Sequence, residues 1–308
     1  MPAFTRLSGL VAATHTPFSA DGALNLSIVE KQAEHLTRSG VATAFIGGTT
    51  GESTSLTVNE RLALAERWMA VTRGSALKVI VHVGANCLDD ARALASQAES
   101  LKAAGVSALA PSYFKPGNIG TLVDSMAYIA AGCPSLPFYY YEIPSMTGLS
   151  QSPSDFLAAA GERIANLAGI KFTSNNLIEY QLCRTAAGGR FDIPFGFDEM
   201  LLASLALGAT SAVGSSYNFA APIYLRVIDA FEKRNFEVAQ REQLASVELI
   251  RILAKYGYMA AAKATMGLLG VEVGRPRLPN AALSSDQLSS LKADLERWEF
   301  FQKVNAKG

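Results

Sequence analysis

The sequence predicts an α/β protein of the (β/α)8 class, a TIM barrel with a C-terminal helical extension. Short apolar, β-rich segments alternate with amphipathic helical segments about eight times, the pattern of repeated strand–helix units. The β-rich segments lack a clean polar–apolar alternation, as expected for parallel strands that are buried on both faces. No G-x-G-x-x-G motif follows the first of them, which disfavours the alternative of a doubly wound, dinucleotide-binding sheet.

Eight segments have the composition of buried strands, and they begin near Gly9, Val41, Lys78, Val106, Leu136, Ala168, Asp192 and Thr210. The clearest helices between them are predicted at residues 58–73, 88–104, 119–131 and 176–187. The first of these helices has a capping box, in which Thr57 is followed three residues later by Glu60. Glycines before three strands, at Gly40, Gly105 and Gly208, are expected to end helices.

After about residue 233 the pattern becomes helical, and the chain contains no long linker or low-complexity segment. We therefore expect a single domain over residues 1–308. The barrel would occupy roughly residues 1–232, and the helical extension roughly residues 233–308.

The composition excludes several classes of protein. Hydrophobic residues make up 49% of the chain and charged residues 18%, with a net charge of zero, which favours a packed globular enzyme over a disordered chain. The absence of a basic stripe argues against binding to nucleic acid or to an anionic membrane. The uncharged segment 200–225 is interrupted by Gly208, Gly214 and Pro222, so it predicts a helix, a strand and a helix start, not a membrane span.

The cysteines and the N-terminal segment bear on the cell compartment. Cys87, Cys133 and Cys183 lie far apart and include no C-x-x-C pair, so neither a disulfide framework nor a zinc site is predicted. The N-terminal segment has only a brief apolar run and no clear cleavage site, so no signal peptide is expected. Both observations favour the cytoplasm.

Polar residues follow the predicted strands at the end where TIM barrels carry their chemistry. They form the segments GGTTGES from Gly47, YYYEIP from Tyr139, KFTS from Lys171, GFDE from Gly196 and GSSYN from Gly214. Each segment also has a structural interpretation, such as a turn or half-buried core tyrosines. Either Asp198 or Glu199 is expected to cap the following helix while the other faces the barrel mouth. Their joint location on one rim favours a functional site.

Lys171 lies at the centre of the predicted buried strand LAGIKFTSN. Because burial disfavours a charged ammonium, it favours the neutral amine, which is the nucleophile that forms a Schiff base with a carbonyl. The alternative is a buried ion pair with an acidic residue from elsewhere in the chain. The GGTTGES segment offers hydroxyls and glycine-exposed amides that suit a small anion such as a carboxylate, but it lacks the G-K-[ST] of a P-loop.

Other chemistries find little support in the sequence. His15, His35 and His82 are the only histidines, and they belong to no ligand cluster with metal-binding spacing. No G-x-S-x-G motif predicts a serine hydrolase. We therefore expect neither a metal nor a cofactor.

Three motifs together resemble one family. GTTGE, a tyrosine before an IP…TG segment, and GIKFT are similar to the dihydrodipicolinate synthase and N-acetylneuraminate lyase family of pyruvate-dependent aldolases, in order and spacing over nearly the whole chain. The resemblance implies that Lys171 is the Schiff-base lysine and that Tyr141, aided by Thr50, relays a proton. It implies that Thr49 and Thr50 hold the pyruvate carboxylate. It further implies contacts with the sugar part of the substrate from Thr173, Gly196, Asp198, Glu199 and Ser215.

Within the family, the chain looks most like the members that reversibly cleave N-acetylneuraminate to N-acetylmannosamine and pyruvate. Members of the synthase type carry an arginine after the catalytic tyrosine, and Met146 occupies that place here. The resemblance also implies a homotetramer in which Tyr113 lies near a partner's site. Two alternatives stay open: a family aldolase or dehydratase acting on another 2-keto acid, such as a 2-keto-3-deoxy sugar acid or an aromatic hydroxypyruvate, and a non-catalytic barrel that senses a keto acid.

Overall fold

A computed structural model describes residues 4–305 and confirms the predicted (β/α)8 class. Seven parallel strands form one sheet in the order β6-β5-β4-β3-β2-β1-β7. The strands are β1 (Gly9–Ala13), β2 (Thr43–Ile46), β3 (Lys78–His82), β4 (Gly105–Leu109), β5 (Phe138–Glu142), β6 (Leu167–Phe172) and β7 (Ser211–Gly214). They are almost entirely buried, which accounts for their continuous apolar composition.

The segment predicted as a strand from Asp192 is not a regular strand but still closes the ring. The carbonyl oxygens of Asp192 and Pro194 accept hydrogen bonds from β6, and Phe195 exchanges two hydrogen bonds with β7. Because Pro194 has no N–H to donate, a regular ladder cannot run through it. The expectation of a complete strand there is therefore wrong, although the segment occupies the place of one.

Thirteen α-helices are found in residues 4–305. They are α1 (Val29–Arg38), α2 (Val58–Val71), α3 (Leu88–Ser100), α4 (Ile119–Ala130), α5 (Pro144–Thr147), α6 (Pro153–Ala160), α7 (Leu177–Gly189), α8 (Leu201–Ala206), α9 (Tyr217–Glu232), α10 (Phe236–Ala254), α11 (Tyr258–Leu268), α12 (Ser285–Arg297) and α13 (Phe300–Asn305). The uncharged segment 200–225 forms α8, β7 and the start of α9, as predicted. No helix in the described part of the chain is long and apolar enough to cross a membrane.

The core has two parts. The larger part lies between the sheet and the surrounding helices and includes the fully buried Trp68, Tyr180 and Tyr224. The smaller part consists of strand side chains that point into the barrel, among them Phe45 and Tyr141. Since the inner part is filled with side chains, a substrate can enter only at an end of the barrel.

Candidate active site

Lys171 is buried in β6 with only 4% of its surface exposed. Its Nζ donates a hydrogen bond to Thr173 Oγ1 at 2.9 Å and lies 3.6 Å from the centre of the Tyr141 ring. The register of β5 and β6 causes this contact, because it places Tyr141 directly opposite Lys171. Within residues 4–305, no carboxylate forms an ion pair with Lys171. The amine thus faces a hydroxyl and an aromatic ring, and the ion-pair alternative does not describe its surroundings.

Tyr141 connects this lysine to the loop after β2. Its hydroxyl lies 3.2 Å from Thr49 Oγ1, so the two groups share a hydrogen bond. The ring is held edge-on by Phe45 and His82, with ring centres 5.8 and 5.6 Å away. Since three side chains fix the ring and its hydroxyl, Tyr141 has one defined position beside Lys171.

The nine residues predicted to bind substrate or to take part in catalysis line one cavity of about 400 Å³ at the carboxyl ends of the strands. They are Thr49, Thr50, Tyr141, Lys171, Thr173, Gly196, Asp198, Glu199 and Ser215. Gly196 has a clear steric role there, because an added Cβ would collide with the Thr173 hydroxyl that contacts Lys171. The structure therefore brings these predicted side chains together, which sequence spacing alone does not do.

The carboxyl groups of Asp198 and Glu199, which follow the strand-like segment from Asp192, have different surroundings. Asp198 is buried and accepts hydrogen bonds from the backbone N–H of Ser216, at 2.9 Å, and from its hydroxyl. Burial raises the pKa of Asp198 to about 7, although the bonds from Ser216 oppose the rise. Glu199 is half-buried, and burial raises its pKa as well.

The expected helix cap at Asp198 or Glu199 is wrong. The residue before the short 3-10 turn 198–200 is Phe197, and no side chain caps that turn. Asp198 instead binds Ser216, the residue that precedes α9. The carboxylate therefore connects the turn at 198–200 to the residue that precedes α9, and Asp198 is also one of the residues that line the cavity.

The C-terminal helices contribute cavity residues that the sequence analysis missed. Tyr258, the first residue of α11, has its hydroxyl 2.7 Å from Ser215 Oγ. Ile250 and Ala254 of α10 and Met259 of α11 line the same side. No local pattern distinguishes these residues from others in an amphipathic extension. The extension therefore forms part of the cavity wall and does not serve only to cover the barrel.

Glu142 is a second missed residue. It follows Tyr141 in β5, and strand alternation directs its side chain away from the cavity. Its carboxylate accepts a hydrogen bond of 3.1 Å from the backbone N–H of Thr173, the residue whose hydroxyl binds Lys171. Burial raises the pKa of Glu142 to about 7, and the nearby Lys171 opposes the rise. Glu142 thus holds the backbone of Thr173, the residue whose hydroxyl contacts Lys171.

Tyr113 does not line the cavity of this chain. It follows β4, is 79% exposed, and packs edge-on against Phe114, which is 86% exposed. Two adjacent aromatic rings in water are unusual for an isolated chain. Their exposure agrees with a contact outside this chain.

The comparisons with known proteins agree with this architecture. The dihydrodipicolinate synthetase family matches residues 6–298. The chain is 38% identical over 295 residues to an N-acetylneuraminate lyase of Gallus gallus, covering 94% of this chain and 96% of that relative. The solved structure of Proteus mirabilis N-acetylneuraminate lyase is 42% identical with a TM-score of 0.93, covering 96% of this chain and all of that one. The N-acetylneuraminate lyase of Aliivibrio salmonicida has the same identity and TM-score, with 96% and 98% covered. This chain therefore belongs to the dihydrodipicolinate synthetase family.

Proposed function

We propose that the protein is a class I carbon–carbon lyase that reversibly cleaves N-acetylneuraminate to N-acetylmannosamine and pyruvate. One observation carries the proposal: a buried lysine amine with no carboxylate partner in residues 4–305 opens into a cavity that hydroxyl and carboxyl side chains help to line, beside a fixed tyrosine. Relatives of similar length named N-acetylneuraminate lyase support the choice of reaction.

Lys171 and Tyr141 would perform the chemistry. The Lys171 amine attacks the C2 ketone, water leaves, and a protonated imine forms. When the C3–C4 bond breaks, its electron pair moves toward the imine nitrogen and leaves an enamine. The Tyr141 hydroxyl relays the C4 hydroxyl proton: it accepts this proton, directly or through Thr50, and passes its own proton to the substrate carboxylate as the aldehyde product departs. Protonation of the enamine at C3 and hydrolysis of the imine then release pyruvate and restore the lysine.

Thr49 and Thr50 would bind the carboxylate next to the ketone. Both line the cavity at the end of β2, and the Thr49 hydroxyl contacts Tyr141. A carboxylate held there would place the ketone between this loop and Lys171. The hydrogen bond between the Thr49 hydroxyl and the Tyr141 phenol would keep the phenol oriented during proton transfer.

The charges around the cavity favour a polyhydroxy tail over a second acid. Asp198 and Glu199 contribute two carboxylates, and Lys171 is the only cationic residue that lines the cavity within the described chain. Carboxylates accept hydrogen bonds from hydroxyls but repel another carboxylate. Met146, at the place of the synthase arginine, is 63% exposed and does not line the cavity.

The test combines turnover with covalent trapping. Purified protein is assayed against a panel of 2-keto acids by pyruvate release, and separately treated with pyruvate and borohydride. N-acetylneuraminate should be the best substrate, and reduction should label Lys171. Lys171→Ala should abolish both signals. The matched control is Lys263, a second buried lysine that is paired with Glu52 and should stay unlabelled.

The panel also decides between the alternatives. Better turnover of a shorter 2-keto-3-deoxy sugar acid or of an aromatic hydroxypyruvate would identify another aldolase or dehydratase with the same catalytic pair. Failure of pyruvate to trap on any lysine would favour a non-catalytic keto-acid sensor. Labelling of a lysine that persists in Lys171→Ala would refute the assignment of Lys171.

A homotetramer in the cytoplasm completes the proposal. The exposed pair Tyr113 and Phe114 supports a subunit contact near the barrel mouth. The thiols of Cys87, Cys133 and Cys183 are free, which suits a reducing compartment. Cell fractionation with an antibody against the protein would test the location, and sedimentation would test the assembly.

A further inference from the structure

The loop that carries Thr49 and Thr50 contains a residue in an uncommon backbone conformation. Glu52 has φ 54° and ψ 37°, in the left-handed region that non-glycine residues rarely adopt. Such a conformation is strained for a residue with a side chain and persists only where surrounding contacts hold it. Its position, two residues after Thr50, makes the direction of the loop depend on those contacts.

A buried ion pair provides the strongest of these contacts. Lys263 Nζ of α11 lies 2.9 Å from Glu52 Oε1, and both side chains are completely buried. The same ammonium donates to the carbonyl oxygen of Thr16 at 3.0 Å. The other oxygen of Glu52 accepts from the backbone N–H of Arg277 at 2.8 Å. The carboxylate is therefore fastened to two separate segments of the C-terminal extension.

Further hydrogen bonds connect the pair to the cavity. The hydroxyl of Thr16 donates to the carbonyl oxygen of Gly51 at 2.6 Å, and the N–H of Glu52 donates to the carbonyl oxygen of Thr49 at 3.0 Å. The Thr49 hydroxyl in turn contacts the Tyr141 phenol. A shift of Glu52 would thus move the threonines that face the cavity and loosen the phenol next to Lys171.

Stability alone is a poor reason for such a pair. The desolvation of two charges offsets most of their attraction, and replacing a buried ion pair with apolar residues is often neutral or stabilising. An ion pair with fixed hydrogen bonds does, however, define one geometry. Glu52 has a strained backbone and lies in the loop that carries Thr49 and Thr50. We therefore infer that the role of the pair is to fix the geometry of this loop.

We propose that Glu52 and Lys263 form a positioning pair by which the C-terminal extension sets the geometry of the carboxylate-binding loop. The inference rests on the proposed function, because it assigns Thr49 and Thr50 to the pyruvate carboxylate. Neither Glu52 nor Lys263 lines the cavity, so both act through the loop and do not touch the substrate.

The test measures how much pyruvate is needed to half-saturate borohydride trapping on Lys171. Glu52→Gln and Lys263→Met each remove one charge, and Lys263→Arg keeps the pair. We expect the first two variants to need at least about tenfold more pyruvate, since misplacement by about 1 Å of groups that position a substrate can cost roughly 10²-fold. Lys263→Arg should recover part of the loss. The double variant should be no worse than the worse single variant, because the two residues act as one unit.

Two further variants separate positioning from folding. Glu242→Gln removes the Arg226–Glu242 ion pair between α9 and α10, which is also largely buried but belongs to neither the loop nor α11, and should leave the pyruvate requirement unchanged. Glu52→Gly combined with Lys263→Met removes the strained φ and both buried charges, so it should fold even if the single variants, which leave one buried group unpaired, do not. It should still need several-fold more pyruvate because the anchor to Lys263 is lost.

Particular results would overturn the inference. Wild-type pyruvate saturation by the variant that combines Glu52→Gly with Lys263→Met would show that the loop keeps its geometry without the pair. If Glu242→Gln raised the pyruvate requirement as much as Glu52→Gln and Lys263→Met do, the effect would be explained by general destabilisation of the protein. Failure of the wild-type protein to trap pyruvate would instead refute the proposed function, so the two failures are distinguishable.

Discussion

At the scale of single residues, the chain contains two buried lysines with opposite surroundings. The burial of Lys171 could be predicted from the sequence, because a lysine is unusual inside an apolar strand. Lys263 could not, since a lysine in a helical segment such as MAAAKATM is ordinarily exposed on one face. Its burial depends on Glu52, which lies more than 200 residues earlier and adopts a conformation that no local pattern indicates. Tyr258 and Glu142 escaped prediction for the same reason: only tertiary packing brings them to the site.

Tyr141→Phe should retain imine formation and lose most cleavage. The substitution removes the phenol that contacts Thr49 but keeps the ring packed between Phe45 and His82. General acid–base groups contribute about 10²–10⁴-fold, so kcat should fall by that amount. Pyruvate trapping and turnover are compared on the same preparation. Near-normal turnover would show that another group carries the proton.

Glu199→Gln should weaken cleavage of N-acetylneuraminate and leave pyruvate trapping nearly unchanged, because pyruvate has no hydroxylated tail. A hydrogen bond to a charged group contributes about 1.5–3 kcal/mol, which corresponds to roughly ten- to a hundredfold in kcat/KM. Glu296→Gln, on the exposed face of α12, is a control that should behave as wild type. If trapping and cleavage fall together, Glu199 has a structural role. If neither falls, the tail binds elsewhere.

Asp198→Asn should change how stability depends on pH. The folded pKa of Asp198 is raised from 3.8 to about 7, so its favourable contribution is complete below the unfolded pKa and is lost as pH rises through about 7. Relative to Asp198→Asn, the wild type should therefore become less stable between pH 4 and pH 7. The relative loss should not exceed about 4 kcal/mol, since one pKa unit corresponds to about 1.4 kcal/mol. Denaturant unfolding across this pH range measures it, and a pH-independent difference would contradict it.

At the scale of elements, the sequence predicts what local chemistry determines. The segments of seven strands and the capping box of α2 are confirmed. Gly40 and Gly208 have the positive φ expected where a helix ends, but Gly105 is already the first residue of β4. The left-handed residue before that strand is Lys102, with φ 58°. The position of the turn was therefore predicted correctly, but Gly105 was wrongly expected to be its left-handed residue. Nothing in the sequence indicates that Lys102 adopts this conformation.

Thr57→Ala should destabilise the protein without affecting catalysis. In the capping box, Glu60 N–H donates to Thr57 Oγ1 at 3.2 Å and Thr57 N–H donates to Glu60 Oε2 at 2.9 Å. Loss of a threonine cap costs about 0.5–2 kcal/mol. Ser284→Ala removes the corresponding box of α12 and should cost a similar amount. Denaturant unfolding measures both variants. A large fall in the kcat of Thr57→Ala would show that α2 also supports the site.

At the scale of the whole molecule, the barrel is the architecture that this chain shares with its relatives. Contacts between segments that lie far apart in the sequence complete the cavity. The strand ends supply the lysine and the tyrosine, whose positions follow from register, and the loop after β2 supplies the threonines. The far wall comes from α10 and α11, and Lys263 of α11 also forms an ion pair with Glu52 in the loop after β2. The C-terminal helices could be predicted to pack on the barrel. Their part in the site could not, because helix packing angles and side-chain contacts over such sequence distances leave no periodic signal.

Assembly is the remaining prediction at this scale. Tyr113 and Phe114 project into water from the barrel rim, and burying an aromatic side chain of this size contributes about 1.5–3 kcal/mol. Repeated over the symmetric interfaces of a tetramer, the loss of both rings should shift the assembly to smaller species. The double substitution Tyr113→Ser and Phe114→Ser is therefore compared with the wild type by analytical ultracentrifugation at the assay concentration. Phe236→Ser, which removes a half-exposed ring at the start of α10, is the matched control and should leave the assembly state of the wild type unchanged. If Tyr113 also lies near a partner's cavity, kcat/KM should fall in step with dissociation. A fully active wild-type monomer would contradict both the assembly and this role of Tyr113.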